Sequence, residues 1–364
     1  MSEPVRQRIP HANSVKVLRT PAVRLCVSVA HLFRLCSALC LLTFAATLHA
    51  AGPDANAGEY SIESSKAIES LLLDVTRAGS RLVAVGDRGH ILFSDNNAKI
   101  WTQAKVPTKQ MLTAVFFVDD KKGWAVGHDA QILASEDGGA TWTQQYIDRE
   151  REAGAPFLDV WFQDANTGFV VGAYNALLVT HDGGKHWEDI SERLDNEFAY
   201  HLNGIISVKD AGLFIVGELG SMFRSADGGQ TWETLEGPYE GSLFGALATN
   251  QANTLLVYGL RGHLFRSTDF GASWEQIELN TSHNGPLEFG LADGTLLADG
   301  SMVVVGHGGS VLKSTDNGRS FSVFNRPDRL SLAGVSTADD GKLILVGQGG
   351  IHVASPSGAD LGQP

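Results

Sequence analysis

Apolar residues come along this chain in short runs separated by polar turns. A representative stretch begins with MLTAVFFVD at 111–119 and turns at KKG. It continues with WAVGH at 124–128, QILASE at 131–136 and TWTQQY at 141–146. Runs of this length, broken by Gly, Asp and Lys, read as β-strands joined by hairpins. The first two are apolar throughout, as for strands covered on both faces. The third alternates, which predicts a half-buried strand. No stretch carries a long helical period, and short helical turns are expected at 66–70 and within 190–200.

This four-strand unit recurs. Seven β-rich runs end at Gly86, Gly127, Gly172, Gly217, Gly259, Gly306 and Gly347; six read Val-Gly and one, at 258–259, reads Tyr-Gly. After them comes the pattern Ser/Thr-x-Asp-x-Gly-x-x-Trp/Phe. It reads SEDGGATW at 135–142, THDGGKHW at 180–187, SADGGQTW at 225–232, STDFGASW at 267–274 and STDNGRSF at 314–321. A worn copy, SDNNAKIW, stands at 94–101, and the spacing is 41 to 47 residues. A fixed period in the forties marks a propeller or solenoid. Seven such units predict an all-β chain, a seven-bladed β-propeller of four-stranded blades.

The repeated pattern has an architectural explanation. Asp137, Asp182, Asp227, Asp269 and Asp316 are expected to accept backbone N–H bonds and hold the turn between the third and fourth strands. A glycine such as Gly139 supplies a positive φ. Trp142, Trp187, Trp232, Trp274 and Phe321 then fill the space between blades, where a ring buries a large area. Trp124 and Trp161, outside these turns, are expected in the blade core. The seventh unit stops after IHVASPSG with no fourth strand. The segment GEYSIES at 58–64 is expected to pair with 350–355 and close the ring, removing two sheet edges.

Charge changes the picture at the N-terminus. Residues 1–34 are basic, Leu35 to Leu48 is apolar, and LHAAG at 48–52 is rich in small residues. This order predicts a signal peptide over 1–50 cleaved after Ala50 or Ala51, with 51–364 as one propeller domain. The protein is then expected to be secreted across the inner membrane to the periplasm. Cys26, Cys36 and Cys40 all fall in that segment, so the mature chain has no cysteine. Residues 1–50 hold six of the 28 Lys+Arg and one of the 41 Asp+Glu, leaving a net charge of −18. That charge repels nucleic-acid phosphates and anionic lipid. No mature segment is apolar enough to insert in a membrane. The expected partner is a protein associated with a membrane, bound by a monomer.

Catalytic motifs are missing: there is no Gly-x-Ser-x-Gly, no His-Glu-x-x-His and no phosphate-binding loop. No cofactor and no metal are expected. A candidate recognition surface follows from topology instead. Loops joining strands two and three emerge on one side near the axis, and their sequences differ from blade to blade. They present Arg88, His128, Asp129, Tyr174, Asn175, Glu218, Arg261, His307 and Gln348, residue types frequent at binding sites. The charged connector IDREREAGAP at 147–156 is expected to form a flap over that face.

The Val-Gly strands and Asp-box turns behind a signal segment resemble the photosystem II assembly and stability factor family, which are seven-bladed, BNR-like propellers. The resemblance spans about 58–356. It implies a non-enzymatic assembly factor that binds membrane-protein intermediates; relatives without a photosystem are secreted, some encoded beside RND-type exporters. Asp-boxes also occur in sialidases, so a glycan-binding or sialidase-like hydrolase is the alternative. The Arg-Ile-Pro signature of that family occurs only at Arg8-Ile9-Pro10, inside the signal segment.

Overall fold

The computed structural model describes residues 60–281 and 285–361. The expected signal segment lies outside them. Seven antiparallel sheets form the blades of a β-propeller. The inner strands are Leu72–Ala78, Leu112–Phe117, Phe157–Phe162, Leu202–Val208, Leu243–Ala248, Leu291–Leu296 and Leu332–Thr337. Each packs against the inner strand of the next blade, and Leu332–Thr337 packs against Leu72–Ala78 to complete the ring. Among the described residues the only helical elements are 3-10 turns, including Ala67–Glu69 and Ser191–Arg193.

Burial runs differently from the expected alternation. Second strands such as Gly123–Gly127 and third strands such as Gln131–Ser135 are buried at every residue. Neighbouring blades cover both faces of the third strand, so it carries no solvent face. The half-buried elements are the inner strands, which border the axis, and the exposed ones are the outer strands such as Thr143–Tyr146.

The repeated turn works through a hydrogen-bond relay. Ser135 Oγ donates to Asp137 Oδ1 (2.9 Å) and accepts the Gly139 N–H (2.8 Å). Asp137 also accepts the Thr141 N–H (2.9 Å) and hydroxyl (2.6 Å). Equivalent bonds form around Asp182, Asp227, Asp269 and Asp316, and Asn96 does the same in the worn copy by accepting the Ile100 N–H. These bonds favour the ionised carboxylate: hydrogen bonds from Thr231 and Ser320 hold Asp227 and Asp316 down at about 2. Trp142 then inserts between blades one and two, beside Val83, Val85 and Phe117, with its Nε1–H on Gly139 O. Trp187, Trp232, Trp274 and Phe321 each pack likewise against the preceding blade. A Ser135→Ala substitution leaves the buried Gly139 N–H without its acceptor. It should cost about 1–3 kcal/mol, read as a lower denaturation midpoint with unchanged denaturant slope.

The glycines that end the second strands have a steric cause. A Cβ on Gly86, Gly127, Gly217, Gly259, Gly306 or Gly347 would stand 2.1–2.3 Å from the carbonyl oxygen of the residue just before its blade's inner strand. At Gly172 the gap to Pro156 O would be 2.6 Å. The same carbonyls accept the next residue's N–H, as in Asp87 to Leu71 O and His128 to Met111 O. Each second–third loop is thereby fastened to the start of its own inner strand.

Ring closure differs from expectation in one part. The seventh sheet has three strands, and residues 61–64 do not pair with 350–355. They lie along the first blade: Ser61 N–H bonds Val106 O (2.9 Å), and the Gln103 side chain bonds the Ser64 N–H and Ile62 O. The C-terminal tail takes the outer position instead. It turns at Ser355–Gly358, bridges Ala354 to Asp360, and places the Leu361 N–H on Val353 O (2.9 Å). Gln103 offers the N-terminal segment a complete set of partners on blade one, and a local hairpin costs the tail less loop entropy than a distant pairing. Arg326, fully buried, pairs locally with Asp328 (2.6 Å) and reaches that tail through Asp360 (3.6 Å).

Candidate functional site: one loop face and an axial cavity

The second–third loops and the inter-blade connectors share one face of the ring. The central loop residue often adopts a left-handed conformation, as at Arg88 (φ 55°), Tyr174 (φ 54°), Leu219 (φ 50°) and Arg261 (φ 58°). That conformation turns the chain within three residues and points the side chain away from the blade.

The residues expected in a recognition ring divide into groups. Arg88 is 76% exposed and, among the described residues, pairs only with its neighbour Asp87 (3.4 Å). His128 and Arg261 make no side-chain hydrogen bond or ion pair among the described residues. Asp129 is committed to Gln110 (2.9 Å) and Arg149 (3.4 Å). Asn175 is spent internally, bonding Ser191 O and the Asn196 side chain, so it offers a partner little. His201 joins Tyr174 to Glu218: its Nδ1 accepts the Tyr174 N–H (2.9 Å), and Glu218 accepts the His201 N–H (3.1 Å). His307 and Gln348 line a pocket of about 900 Å³ with Leu71, Phe289 and Arg329. The connector at 147–156 is not a free flap. Asp148 caps its 3-10 turn, Arg151 pairs with Asp189 (2.5 Å), and Asp129 receives Arg149.

Sequence reasoning described this face as charged and missed its apolar content. Of the ten exposed large hydrophobic side chains among the described residues, six sit on these loops and connectors: Leu71, Tyr174, Phe198, Leu219, Leu260 and Phe289. Phe198 is 72% exposed and its ring meets that of Tyr200. It lines a groove with Leu219 and Tyr239, rimmed by Asp195, Glu197, Glu236 and Glu240. An apolar side chain at the tip of a tight loop was the available signal.

Sequence reasoning also missed a set of carboxylates on the axis. The ring encloses a cavity of about 430 Å³. Into its wall Asp74, Asp159 and Asp293 project from the third position of the inner strands of blades one, three and six. Each follows a residue left unpaired by a β-bulge. Each bridges to the next blade: Asp74 accepts the Val115 N–H, Asp159 the Ile205 N–H and Asp293 the Val335 N–H, all at 2.8 Å. The receiving strands carry Ala114, Gly204 and Gly334 at the matching position, which leaves room for the carboxylate. The three are only partly open to the cavity and are enclosed by blades, so desolvation raises all of them, Asp159 to about 7. Each of the other two carboxylates adds to the rise at Asp293. Tyr258, 1% exposed, lines the same cavity. Burial and these carboxylates lift its hydroxyl well above the usual phenol range. The sequence signal was an Asp inside an apolar run: LLD at 72–74, FLD at 157–159 and LAD at 291–293.

Comparison with known proteins agrees with this architecture. The family model for photosynthesis system II assembly factor YCF48 matches residues 93–157 and 150–278. A structure of YCF48 bound to D1 peptide superposes with a TM-score of 0.61 at 17% identity, covering 78% of this chain and 91% of that one. YCF48 from Cyanidioschyzon merolae gives 0.61 at 16%, covering 80% and 97%. A streptogramin B lyase structure gives 0.65 at 12%, covering 80% and 95%. No curated protein matches the sequence. At these identities the structural matches speak for the fold alone.

Proposed function

The chain belongs to the photosynthesis system II assembly factor YCF48 family, and on that premise we propose that it is a non-enzymatic propeller that binds a segment of a protein partner on its loop-and-connector face. The observation that carries this reading is the concentration of exposed apolar side chains there, with Arg88 and Arg261 beside them. Aromatic and Arg residues standing proud of a rigid scaffold are the usual anchors of protein interfaces, and exposed apolar patches mark interaction sites. A YCF48 solved with a D1 peptide supports a polypeptide ligand. Secretion to the periplasm, and an assembly or accessory role for a membrane complex or an RND-type exporter, belong to the same proposal. Its support is the signal-like segment and the acidic mature chain.

The experiment is capture of the partner from a detergent-solubilised envelope of the source, followed by mass spectrometry. Two variants are compared with wild type: Phe198→Asp with Leu219→Asp, and Arg88→Glu with Arg261→Glu. Because these side chains are exposed, both variants should keep the wild-type melting temperature within about 2 °C. Capture should fall at least tenfold in each, as expected for loss of interface anchors of about 1.4 kcal/mol or more. Undiminished capture by both folded variants would remove this face from consideration.

The glycan-acting alternative has one observation in its favour, the carboxylates of the axial cavity. Its wall includes no Arg or Lys, so an acidic sugar finds no counter-charge there.

A further inference from the structure

The axial cavity departs from the repeat that builds it. The residue before the strand-ending glycine is Val in six blades: Val85, Val126, Val171, Val216, Val305 and Val346. In the fifth blade it is Tyr258. Two glycines make room for it, since a Cβ on Gly245 would lie 2.7 Å from its ring and one on Gly294 would lie 3.2 Å from its hydroxyl. That hydroxyl is on a side chain only 1% exposed, lines the cavity, and has no hydrogen-bond partner among the described residues. The hydroxyl opens on the lumen, and a framework position that needs only Val gives no reason for a phenol there.

The surroundings specify what would satisfy it. Asp74, Asp159 and Asp293 each spend part of their acceptor capacity on two backbone N–H groups. A carboxylate accepts about four hydrogen bonds, so each keeps capacity toward the lumen. Phe116, Trp161 and Phe244 supply aromatic wall, and no basic side chain lines the space. A metal ion is a poor match, because the described residues hold no group of three His, Cys, Asp or Glu close enough to ligate one. Apolar and aromatic walls with separated carboxylates suit an alkyl chain carrying an ammonium group, through ion pairing and cation–π contact. The pocket on the loop face shares Leu73, Ala292 and Ala333 with the cavity, which gives a route inward.

We propose that the axial cavity binds an alkylammonium group, whose charge is compensated by the separated carboxylates of Asp74, Asp159 and Asp293 and whose N–H groups can reach the Tyr258 hydroxyl. The ammonium belongs to a free amine or to a lysine side chain entering from the loop face. This site is separate from the partner-binding face: none of the substitutions that test that face touches the cavity, so the two readings stand or fall independently.

The test is isothermal titration of the purified protein with 1,4-diaminobutane, in parallel with n-butanol and Mg²⁺. Saturable one-to-one binding of the diamine is expected, with none of the alcohol. At pH 8.5, where the tier ionises, affinity should fall at least tenfold in Asp293→Asn, which removes an ionisable carboxyl and keeps an acceptor for the blade-seven N–H. It should fall several-fold in Tyr258→Phe, which keeps the ring packing. The two variants are independent, so a folding failure in one leaves the other to decide. A tetralysine peptide that competes with the diamine assigns the ammonium to a polypeptide; a peptide that fails to compete assigns it to a free amine, and the proposal stands in both cases. Absence of saturable diamine binding, equal affinity in both folded variants, or Mg²⁺ displacing the diamine at equal concentration overturns it.

Discussion

A Gly127→Ala variant is expected to lose about 3 kcal/mol of stability or more. That is the upper end of the cost of forcing one extra carbon into a closed site. The added Cβ would stand 2.2 Å from Met111 O and 2.8 Å from Leu112 Cα. Both neighbours are backbone, so no side chain can swing away. Met111 O is also held by the His128 N–H at 3.0 Å, so retreat breaks the bond that fastens the loop. The cause is close approach rather than backbone conformation, because the matching glycines of other blades are extended, as at Gly86 (φ 176°) and Gly306 (φ −170°). Gly228→Ala is the contrasting case. Its φ is +73°, and nothing lies within 4 Å of the new carbon. Only the left-handed strain remains, about 1–2 kcal/mol. Urea denaturation of both variants decides: Gly127→Ala must be clearly the less stable, and equal losses would mean that conformation, not contact, selects glycine here.

The seven-blade architecture was legible because it rests on local rules repeated many times. An apolar run ending in Gly, then Ser-x-Asp-x-Gly, states where each strand stops and how the next begins. The features that escaped depend on relations between blades. Asp74, Asp159 and Asp293 lie 85 and 134 residues apart in sequence and meet only because the ring brings the third position of every inner strand to one axis. Ring closure escaped because GEYSIES has strand-like composition, while its actual neighbour is set by the Gln103 side chain and the Val106 carbonyl of blade one. Topology gathers the second–third loops on one face, as their spacing predicts, but the apolar content of that face was not read from the sequence. Charged residues in loops draw attention, whereas Leu219 and Phe198 look unremarkable until their exposure is seen. Asn175 shows the converse, a polar loop residue whose hydrogen bonds all point inward.

Between pH 5 and pH 8 the protein should become less stable, and Asp159→Asn should remove part of that loss. Burial raises the folded-state value of Asp159 from 3.8 to about 7, and Asp74 and Asp293 move in the same direction. Across that window the folded state holds protons that the unfolded chain has released, so unfolding free energy falls as pH rises. The full shift at Asp159 would correspond to about 4 kcal/mol. Its partial opening to the cavity screens the charge, and about 2 kcal/mol is the expected loss. The turn aspartates act in a different window: Asp137, Asp227, Asp269 and Asp316 are lowered by their hydrogen bonds, so their contribution disappears only as pH falls below about 4. His90 works against the trend, since desolvation lowers it and its contribution to stability grows as pH rises toward 6.5. It is unchanged in the variant, so the difference between wild type and Asp159→Asn isolates the carboxylate. Asparagine keeps one acceptor for the blade-three to blade-four bridge and carries no charge. Thermal melts of both proteins at pH 5, 6.5 and 8 should therefore converge at the acid end and separate at the alkaline end, with the variant higher. A constant offset across the three values would assign Asp159 a purely steric role. An amine bound among these carboxylates would oppose the same loss, stabilising the wild type most at pH 8, where the tier is ionised and the repulsion among its members is greatest.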